Sequence, residues 1–441
     1  MRKWIGAGIG VVVVAGVGYL GAQVYASQRF ESEVEALVAR LDASPAWEVT
    51  REDIEEGWFH SSGRLEARYR IPLETGKPLR VELPYEAAHG LLETDFSGEA
   101  QIFSGEEMLF GDVLDSEAPA TWHGRFLTRE TRLDGVLELP AFSQTVTLPG
   151  SEFAGEVVPP REAQLDFDGM TLNIGQVDGE LQFDGQAPSL QMSDDTSVIR
   201  LQGNTLSGRY RGNDEAFEQT VAMTAATMTV TPIGNPSVVF KDVRYAASAT
   251  LDADQLVVHL SNQIGDTRVQ DQSVFSGGAE VTLDRVDGDA YREFAAELES
   301  QVGAIQSAAE AEDDAAMREA VAPLRDPAMA MLAGSPRLSL DRLTLDSNML
   351  GVKSHAEGVL TFQGEDLSQL DTDTLDETAL AREVLSRLEG QFRLTGAPSM
   401  LMMYLGLPLT DDALQVKLSD GILRVNGQQV PLMTLLLPAD D

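Results

Sequence analysis

Leu165–Ile174 reads LDFDGMTLNI, and QVDGELQFDG (Gln176–Gly185), APSLQMSDD (Ala187–Asp195) and SVIRLQGNTLSGRYRG (Ser197–Gly212) follow it. Apolar and polar residues alternate, the period of strands that bury one face. The breaks are Asp-Gly and Gly-Asn pairs, which accept the positive φ of tight hairpins. The same grammar runs upstream through Trp47–Ile54, Gly63–Ile71, Leu79–Leu83, Leu92–Phe103, Met108–Val113, Thr121–Thr128, Val136–Leu139 and Thr145–Leu148. Downstream it continues through Ala222–Thr231, Val238–Val243, Ala246–Leu251, Gln255–Asn262, Thr267–Gln270 and Gly278–Leu283. No fixed period survives, which argues against a propeller or strict solenoid. The expected fold is mainly β with a helical insert (α+β): elongated, highly curved antiparallel sheets behind one N-terminal transmembrane helix.

Four segments break the strand pattern. Phe30–Leu41 places Phe30, Val34, Leu37 and Leu41 on one helical face, and Ser44-Pro45 stops it. From Asp289 to Met331 the apolar residues Tyr291, Phe294, Leu298, Val302 and Ile305 recur at three and four, and Gly334-Ser335-Pro336 closes the insert. Strands return as Arg337–Asp346 and Ser354–Gln363. A further helix is expected over Asp376–Leu388, and Met400–Leu407 (MLMMYLGL) reads as a buried helix too short to span a bilayer. The chain then offers two strands, Leu414–Leu418 and Gly421–Val425, with a turn at Asn426-Gly427.

At the start, Ile5–Ala26 (IGAGIGVVVVAGVGYLGAQVYA) carries no charge and is long enough to cross a bilayer core. Arg2 and Lys3 precede it, so the basic tip is expected in the cytoplasm and the remainder on the far side. Trp4, Ile5, Tyr19, Tyr25 and Ala26 mark the ends of this anchor, the aromatic rings at interface depth. The alternative is a cleaved signal peptide with Val24-Tyr25-Ala26 at the cut; either way the body is exported. Gly6 and Gly10 form a GxxxG spacing that lets two such helices approach as a homodimer.

The expected divisions are a tip and anchor (1–26), an N-terminal helix and β domain (27–158), a β-rich domain (159–286), and the helical insert with the C-terminal β segment (287–441). Pro159-Pro160 is the linker between the second and third. With 71 acidic against 32 basic residues the net charge is −39, a surface that repels nucleic acid and anionic lipid headgroups and gives no electrostatic footprint for either. Lysine occurs only at positions 3, 77, 241, 353 and 417, and an acid-rich, lysine-poor surface fits a salt-tolerant source. The absence of cysteine excludes disulfides, thiol catalysis and cysteine metal sites.

No catalytic constellation emerges. His60, His89, His123, His259 and His355 have no metal-site spacing and read as turn or surface residues. Asp166-Phe167-Asp168-Gly169 and Asp287-Gly288-Asp289 lack the acids of a calcium loop and read as hairpin turns. There is no GxSxG, phosphate-binding loop or dinucleotide fingerprint. No catalytic residue, cofactor or metal is therefore expected, and the chain reads as a non-enzyme. The repeated apolar faces, as in Leu181/Phe183 and Leu206/Tyr210, are either covered as core or left open as a groove for acyl chains or a protein segment.

Several landmarks in order resemble the YdgA-like family of bacterial proteins of unknown function. They are the basic tip with one membrane helix, Gly-Trp-Phe-x-Ser at Gly57–Ser61, and His89-Gly90. The strand-to-helix passage Val281–Phe294, Gly-x-Pro-x-Leu-x-Leu at Gly334–Leu340, and Asp-Gly-x-Leu-x-Val-Asn-Gly at Asp420–Gly427 complete them. Leu91 departs from the proline expected after His-Gly. The resemblance implies an inner-membrane protein of Gram-negative bacteria with a periplasmic body, and supplies no catalytic residue. The plan is also similar, at fold level alone, to AsmA-like proteins, thought to move lipid between membranes. The function expected is binding or passing a hydrophobic ligand such as lipid in envelope maintenance. The alternatives are a scaffold that recruits an envelope protein and an envelope hydrolase.

Overall fold

A computed structural model of the chain describes residues 23–43, 47–69, 78–114, 116, 118–148, 151–153, 156–158, 160–177, 179–213, 215–311, 313–349, 351–365, 367, 383–404 and 412–430. The fold is mainly β. The chain divides into two compact units, residues 1–192 with 205–214, and residues 193–204 with 215–441. Among the described residues no helix is long and apolar enough to cross a membrane. Residues 5–22 of the apolar N-terminal run lie outside them, as do Arg2, Lys3 and Trp4.

In the first unit, residues 23–42 are helical and form α1, seven of them upstream of the Phe30 start expected from periodicity. Its buried positions are Gln23, Ala26, Ser27, Phe30, Glu31, Val34 and Leu37, one stripe at helical spacing. Leu41 is only partly buried. The strands that follow are β1 (Trp47–Glu55), β2 (His60–Tyr69), β3 (Leu79–His89), β4 (Glu93–Ser104), the two-residue β5 (Glu107–Met108), β6 (Ala120–Leu127) and β7 (Arg132–Leu139). Then come β8 (Phe142–Leu148), β9 (Ser151–Phe153), β10 (Glu156–Val158), β11 (Arg161–Phe167), β12 (Met170–Val177) and β13 (Glu180–Ser193). Antiparallel pairing runs β1–β2–β3–β4–β6–β7–β12–β13, with β11 beside β8.

Phe30 is the centre of this unit's core. It is 2% exposed, with the rings of Tyr85, Phe96 and Phe126 at 6.2, 6.1 and 6.1 Å. Burying one such ring is worth about 2–3 kcal/mol, so α1 is held on the sheet chiefly by this contact. The strand expected over Met108–Val113 is absent. That stretch is a turn in which Val113 N–H donates to the Met108 carbonyl at 3.1 Å and Leu114 N–H to the Leu109 carbonyl at 2.7 Å.

In the second unit the strands are longer than the sequence suggests. After β14 (Ser197–Gly212), which the two units share, come β15 (Phe217–Pro232), β16 (Val238–Leu251), β17 (Gln255–Val269) and β18 (Gln272–Asp287). The expected pairs Val238–Val243 with Ala246–Leu251, and Gln255–Asn262 with Thr267–Gln270, are single strands. The punctuating residues mark kinks inside a strand rather than turns between two. Asp242 has φ +52°, and a Cβ on Gly265 would lie 2.9 Å from the Asp242 Cβ. Glycine there permits the close approach. Gly203-Asn204, expected as a turn, is likewise inside β14, with Gly203 at φ +62°.

The helical insert leaves from β18 as α2 (Gly288–Glu310), α3 (Asp314–Val321) and α4 (Arg325–Ala333), and returns into β19 (Arg337–Ser347). Asp287 caps α2 by accepting from Ala290 N–H at 2.9 Å. Arg337 and Asp284 tie the exit and return together through a two-pronged ion pair at 2.9 and 2.5 Å. Tyr291 and Met331 from the insert cover the buried corner of Leu251, Leu256 and Val286. The sheet continues through β20 (Val352–Phe362), β21 (Leu388–Thr395), β22 (Leu414–Ser419), β23 (Ile422–Val425) and β24 (Gln428–Val430). Only residues 383–386 of the Asp376–Leu388 helix are described and helical, and Leu388 opens β21 opposite Phe362 instead. Of Met400–Leu407, residues up to Tyr404 belong to α5 (Ser399–Tyr404), whose Met402 covers Leu414 and Val425.

Gly98 in β4 tests the packing of the first unit. A Cβ there would lie 1.9 Å from the Pro84 carbonyl oxygen and 2.9 Å from Trp122 Nε1, which itself donates to that carbonyl at 2.8 Å. Gly98→Ala is expected to cost about 1–3 kcal/mol by overpacking, measured as a lower unfolding temperature by circular dichroism.

Candidate functional site

Two features stand out, one in each unit. In the first, α1 grips the hairpin turns at one end of the sheet. The β1–β2 turn carries Gly57-Trp58-Phe59 and the β3–β4 turn carries Gly90-Leu91-Leu92. Because β2 and β3 are antiparallel with His60 opposite Ala88, both turns lie at the same end, joined by His89 N–H donating to the Phe59 carbonyl at 2.8 Å. Gln23 Nε2 donates to the His89 carbonyl, and Ser27 Oγ donates to the Gly57 carbonyl at 2.9 Å. Arg29 reaches the β6–β7 turn, donating to Thr131 Oγ1 at 3.1 Å.

His89 is the one histidine that departs from the turn-or-surface reading. It is 4% exposed. Nε2 lies 3.1 Å from Ser61 Oγ and Nδ1 lies 3.0 Å from Thr94 Oγ1. Hydroxyls both donate and accept, so a neutral imidazole is satisfied in either tautomer. Burial pushes this imidazole below its ordinary value; the Glu31 carboxylate pulls it up and His60 adds to the lowering. A serine and a histidine thus touch, yet both are sealed beneath Phe30, whose ring lies 5.6 Å from the imidazole. The pair ties the β2 start to the β3–β4 turn.

Beside it lies a buried charge pair. Arg51 donates to Glu31 Oε2 and, through Nε at 2.9 Å, to Tyr85 OH. Burial alone would lower the guanidinium's pKa, but the Glu31 carboxylate and Tyr85 hydroxyl hold it above the usual value. The Arg51 and Glu31 side chains are 4% and 10% exposed. Neither the pair nor the Gln23 and Ser27 contacts was legible in the sequence. The one signal is that Gln23, Ser27 and Glu31 recur every four residues on the buried stripe of α1.

In the second unit the apolar faces of nine strands join into one ladder. Val221 stands opposite Ala247, Ala247 opposite Leu260, Leu260 opposite Val281, and Val281 opposite Leu340. The row continues through Gly358, Phe392, Val416 and Val425. A parallel row runs Val258, Leu283, Leu338, Leu360, Gly390, Leu418, Leu423 and Val430. The insert covers one corner of this face and α5 another. Between them Met223 (48% exposed), Tyr245 (42%), Leu260 (40%), Leu338 (42%) and Leu343 (42%) stay open. The opposite face is polar, with Arg342 paired to Glu280.

Of the expected anchor residues, Arg2, Lys3, Trp4, Ile5 and Tyr19 lie outside the described residues. Tyr25 is 57% exposed and Ala26 fully buried, so the last turn of the apolar run is seated on the first unit. His60 and His123 are exposed on the sheet, and among the described residues no group of three or more His, Asp or Glu could hold a metal ion.

Arg51→Met is expected to cost about 3–5 kcal/mol, because it leaves the Glu31 carboxylate buried without its cation. Adding Glu31→Gln should recover part of that loss in chemical denaturation. His89 predicts acid sensitivity. Its folded value is depressed, so its contribution is fully present above the ordinary histidine value of about 6.5 and declines as pH falls from there through the folded value. His89→Asn should flatten the dependence of unfolding temperature on pH across that window.

Protein YdgA of Escherichia coli (strain K12) is 22% identical, over an alignment covering 96% of this chain and 94% of that protein. No solved structure matches. The Gly57–Ser61 and His89-Gly90 landmarks meet through Ser61 and His89, and the Val281–Phe294 and Gly334–Leu340 landmarks meet through Asp284 and Arg337. The family model for a bacterial protein of unknown function, DUF945, matches residues 1–433, and the chain belongs to that family.

Proposed function

We propose that this is a non-enzymatic, single-pass protein of the bacterial inner membrane whose second unit holds an acyl-chain lipid and passes it along its sheet. In this reading the N-terminus is cytoplasmic and the body periplasmic. The observation that carries it is the open middle of the nine-strand apolar ladder, bounded by covered corners and backed by a polar face. At about 4.8 Å between neighbouring strands, eight intervals span about 38 Å. An acyl chain reaches through half a bilayer core, about 15 Å, so it fits within the ladder's length. Exposed apolar area of this extent on one face is what monomeric proteins otherwise cover.

The retained anchor is supported by the seating of α1. Cleavage after Ala26 would remove Gln23, which holds the His89 carbonyl, and the fully buried Ala26 itself. In this reading the last residues of the apolar run belong to the packing of the body and are retained with it.

The test is photocrosslinking in cells from benzoylphenylalanine placed singly at Leu260, Leu338 and Leu343, with Val359 as control. Val359 is 40% exposed but stands opposite Ser339 and Gln391 on the polar face. Phospholipid adducts at the three leucines, at least about tenfold above position 359, are expected. Equal adducts at all four positions, or none, would remove the lipid reading; discrete protein adducts would replace it with the scaffold.

A further inference from the structure

Three hairpin turns of the first unit lie at one end of its sheet: Glu56–Phe59, Gly90–Leu92 and Thr128–Thr131. The pairing fixes this, since His60 stands opposite Ala88 and Glu93 opposite Leu127. Backbone bonds tie the turns together, from His89 N–H to the Phe59 carbonyl and from Thr128 N–H to the Leu92 carbonyl, at 2.8 and 2.9 Å. Such turns are normally polar. Here Trp58 (61% exposed), Phe59 (45%), Leu91 (40%) and Leu92 (58%) stand out from the tips, and Tyr25 of α1, between Gln23 and Ser27, is 57% exposed.

This is also the point from which the chain leaves toward its apolar run. Gln23 and Ser27 pin α1 to the two apolar turns. Gln23, the first described residue, therefore lies at the same end of the sheet that presents Trp58 and Leu92. Aromatic rings with one apolar and one polar edge favour the membrane–water boundary. Arg29, bonded to Thr131 and paired with Glu33 at 3.7 Å, and the exposed Arg129 share this end with the exposed Glu56, Glu93 and Glu130, so apolar contact rather than charge is what would seat it on a membrane.

We infer that Trp58, Phe59, Leu91 and Leu92 form a foothold that rests in the headgroup–acyl boundary of the membrane from which α1 emerges. The foothold rests on the reading of Ile5–Ala26 as a retained anchor. It fixes the sheet end against the bilayer, so that the first unit stands on the membrane rather than swinging from a tether. The buried His89, Ser61 and Thr94 then have a purpose: they hold the two apolar turns at one level while water or lipid surrounds their tips.

The chain has no cysteine, so a single introduced thiol is uniquely labelled. Full-length Leu92→Cys and Met349→Cys, each carrying a nitrobenzoxadiazole probe, are placed in vesicles of phosphatidylethanolamine and phosphatidylglycerol. Both sites are well exposed, at 58% and 65%, so neither label disturbs packing. The expected result is a blue-shifted Leu92 probe, quenched at least twofold by headgroup-proximal nitroxide lipid and shielded from aqueous iodide. The Met349 probe should behave as in water. A water-like Leu92 probe on chains that float with the vesicles overturns the foothold and leaves the anchor standing. Chains that fail to float overturn both. A Leu92 probe shielded from iodide with no lipid quenching would mean that a protein covers the turns, which also overturns the foothold.

Discussion

Side chains alternate across a strand, so an apolar face that continues over nine strands survives only if register is held at every pairing. Two places in the second unit would break it. Leu283-Asp284-Arg285-Val286 and Leu340-Asp341-Arg342-Leu343 each set two charged residues between apolar ones, where alternation allows one. In both, the pairing shifts by a residue: Leu256 and Val258 face Val286 and Leu283, and Glu280 and Val281 face Arg342 and Leu340. Arg285 takes φ +58° to do so. These bulges return the apolar residues to one side, and the charges they release form ion pairs, Asp284 with Arg337 and Arg342 with Glu280. The first of those pairs also closes the base of the helical insert.

The first unit depends on a different arrangement, a helix whose buried stripe is part polar. Phe30 and Val34 supply the apolar contact, while Gln23, Ser27 and Glu31 are matched to a carbonyl, a carbonyl and a guanidinium. Buried polar groups of this kind cost free energy unless paired, and therefore they discriminate. A rotation of α1 by a third of a turn would leave Arg51 without its carboxylate and two turn carbonyls without their side-chain donors. Hydrophobic burial sets the strength of this contact, and the polar set fixes its angle and height.

How much could be read beforehand varies by element. The helical insert and its return at Gly334-Ser335-Pro336 were plain, because helical period gives way to strand period at marked breaks. The turns at Asp420-Gly421 and Asn426-Gly427 were plain for a similar reason: both take positive φ, as such pairs do in two-residue turns, although β24 beyond the second was read as an apolar tail. Strand lengths were not. Gly203-Asn204, Asp242 and Gly265 carry the same residue types as turns, and only the neighbouring strand shows that the chain goes straight on. His89 was read as a surface or turn residue because nothing beside it in sequence is apolar enough to bury it; the covering ring is Phe30, 59 positions away.

What the sequence determined alone is therefore local: the class of structure, the alternation of faces, the place of the helices, and an uncharged N-terminal run of spanning length. Those follow from period, turn chemistry and charge, which are properties of neighbours in the chain. The tertiary structure decided which apolar faces are covered and which stay open, and which polar groups are sealed. It also decided that residues 23–27 grip the same turns that expose Trp58 and Leu92. Coverage and convergence depend on residues far apart in sequence meeting in space, and no local period carries that information.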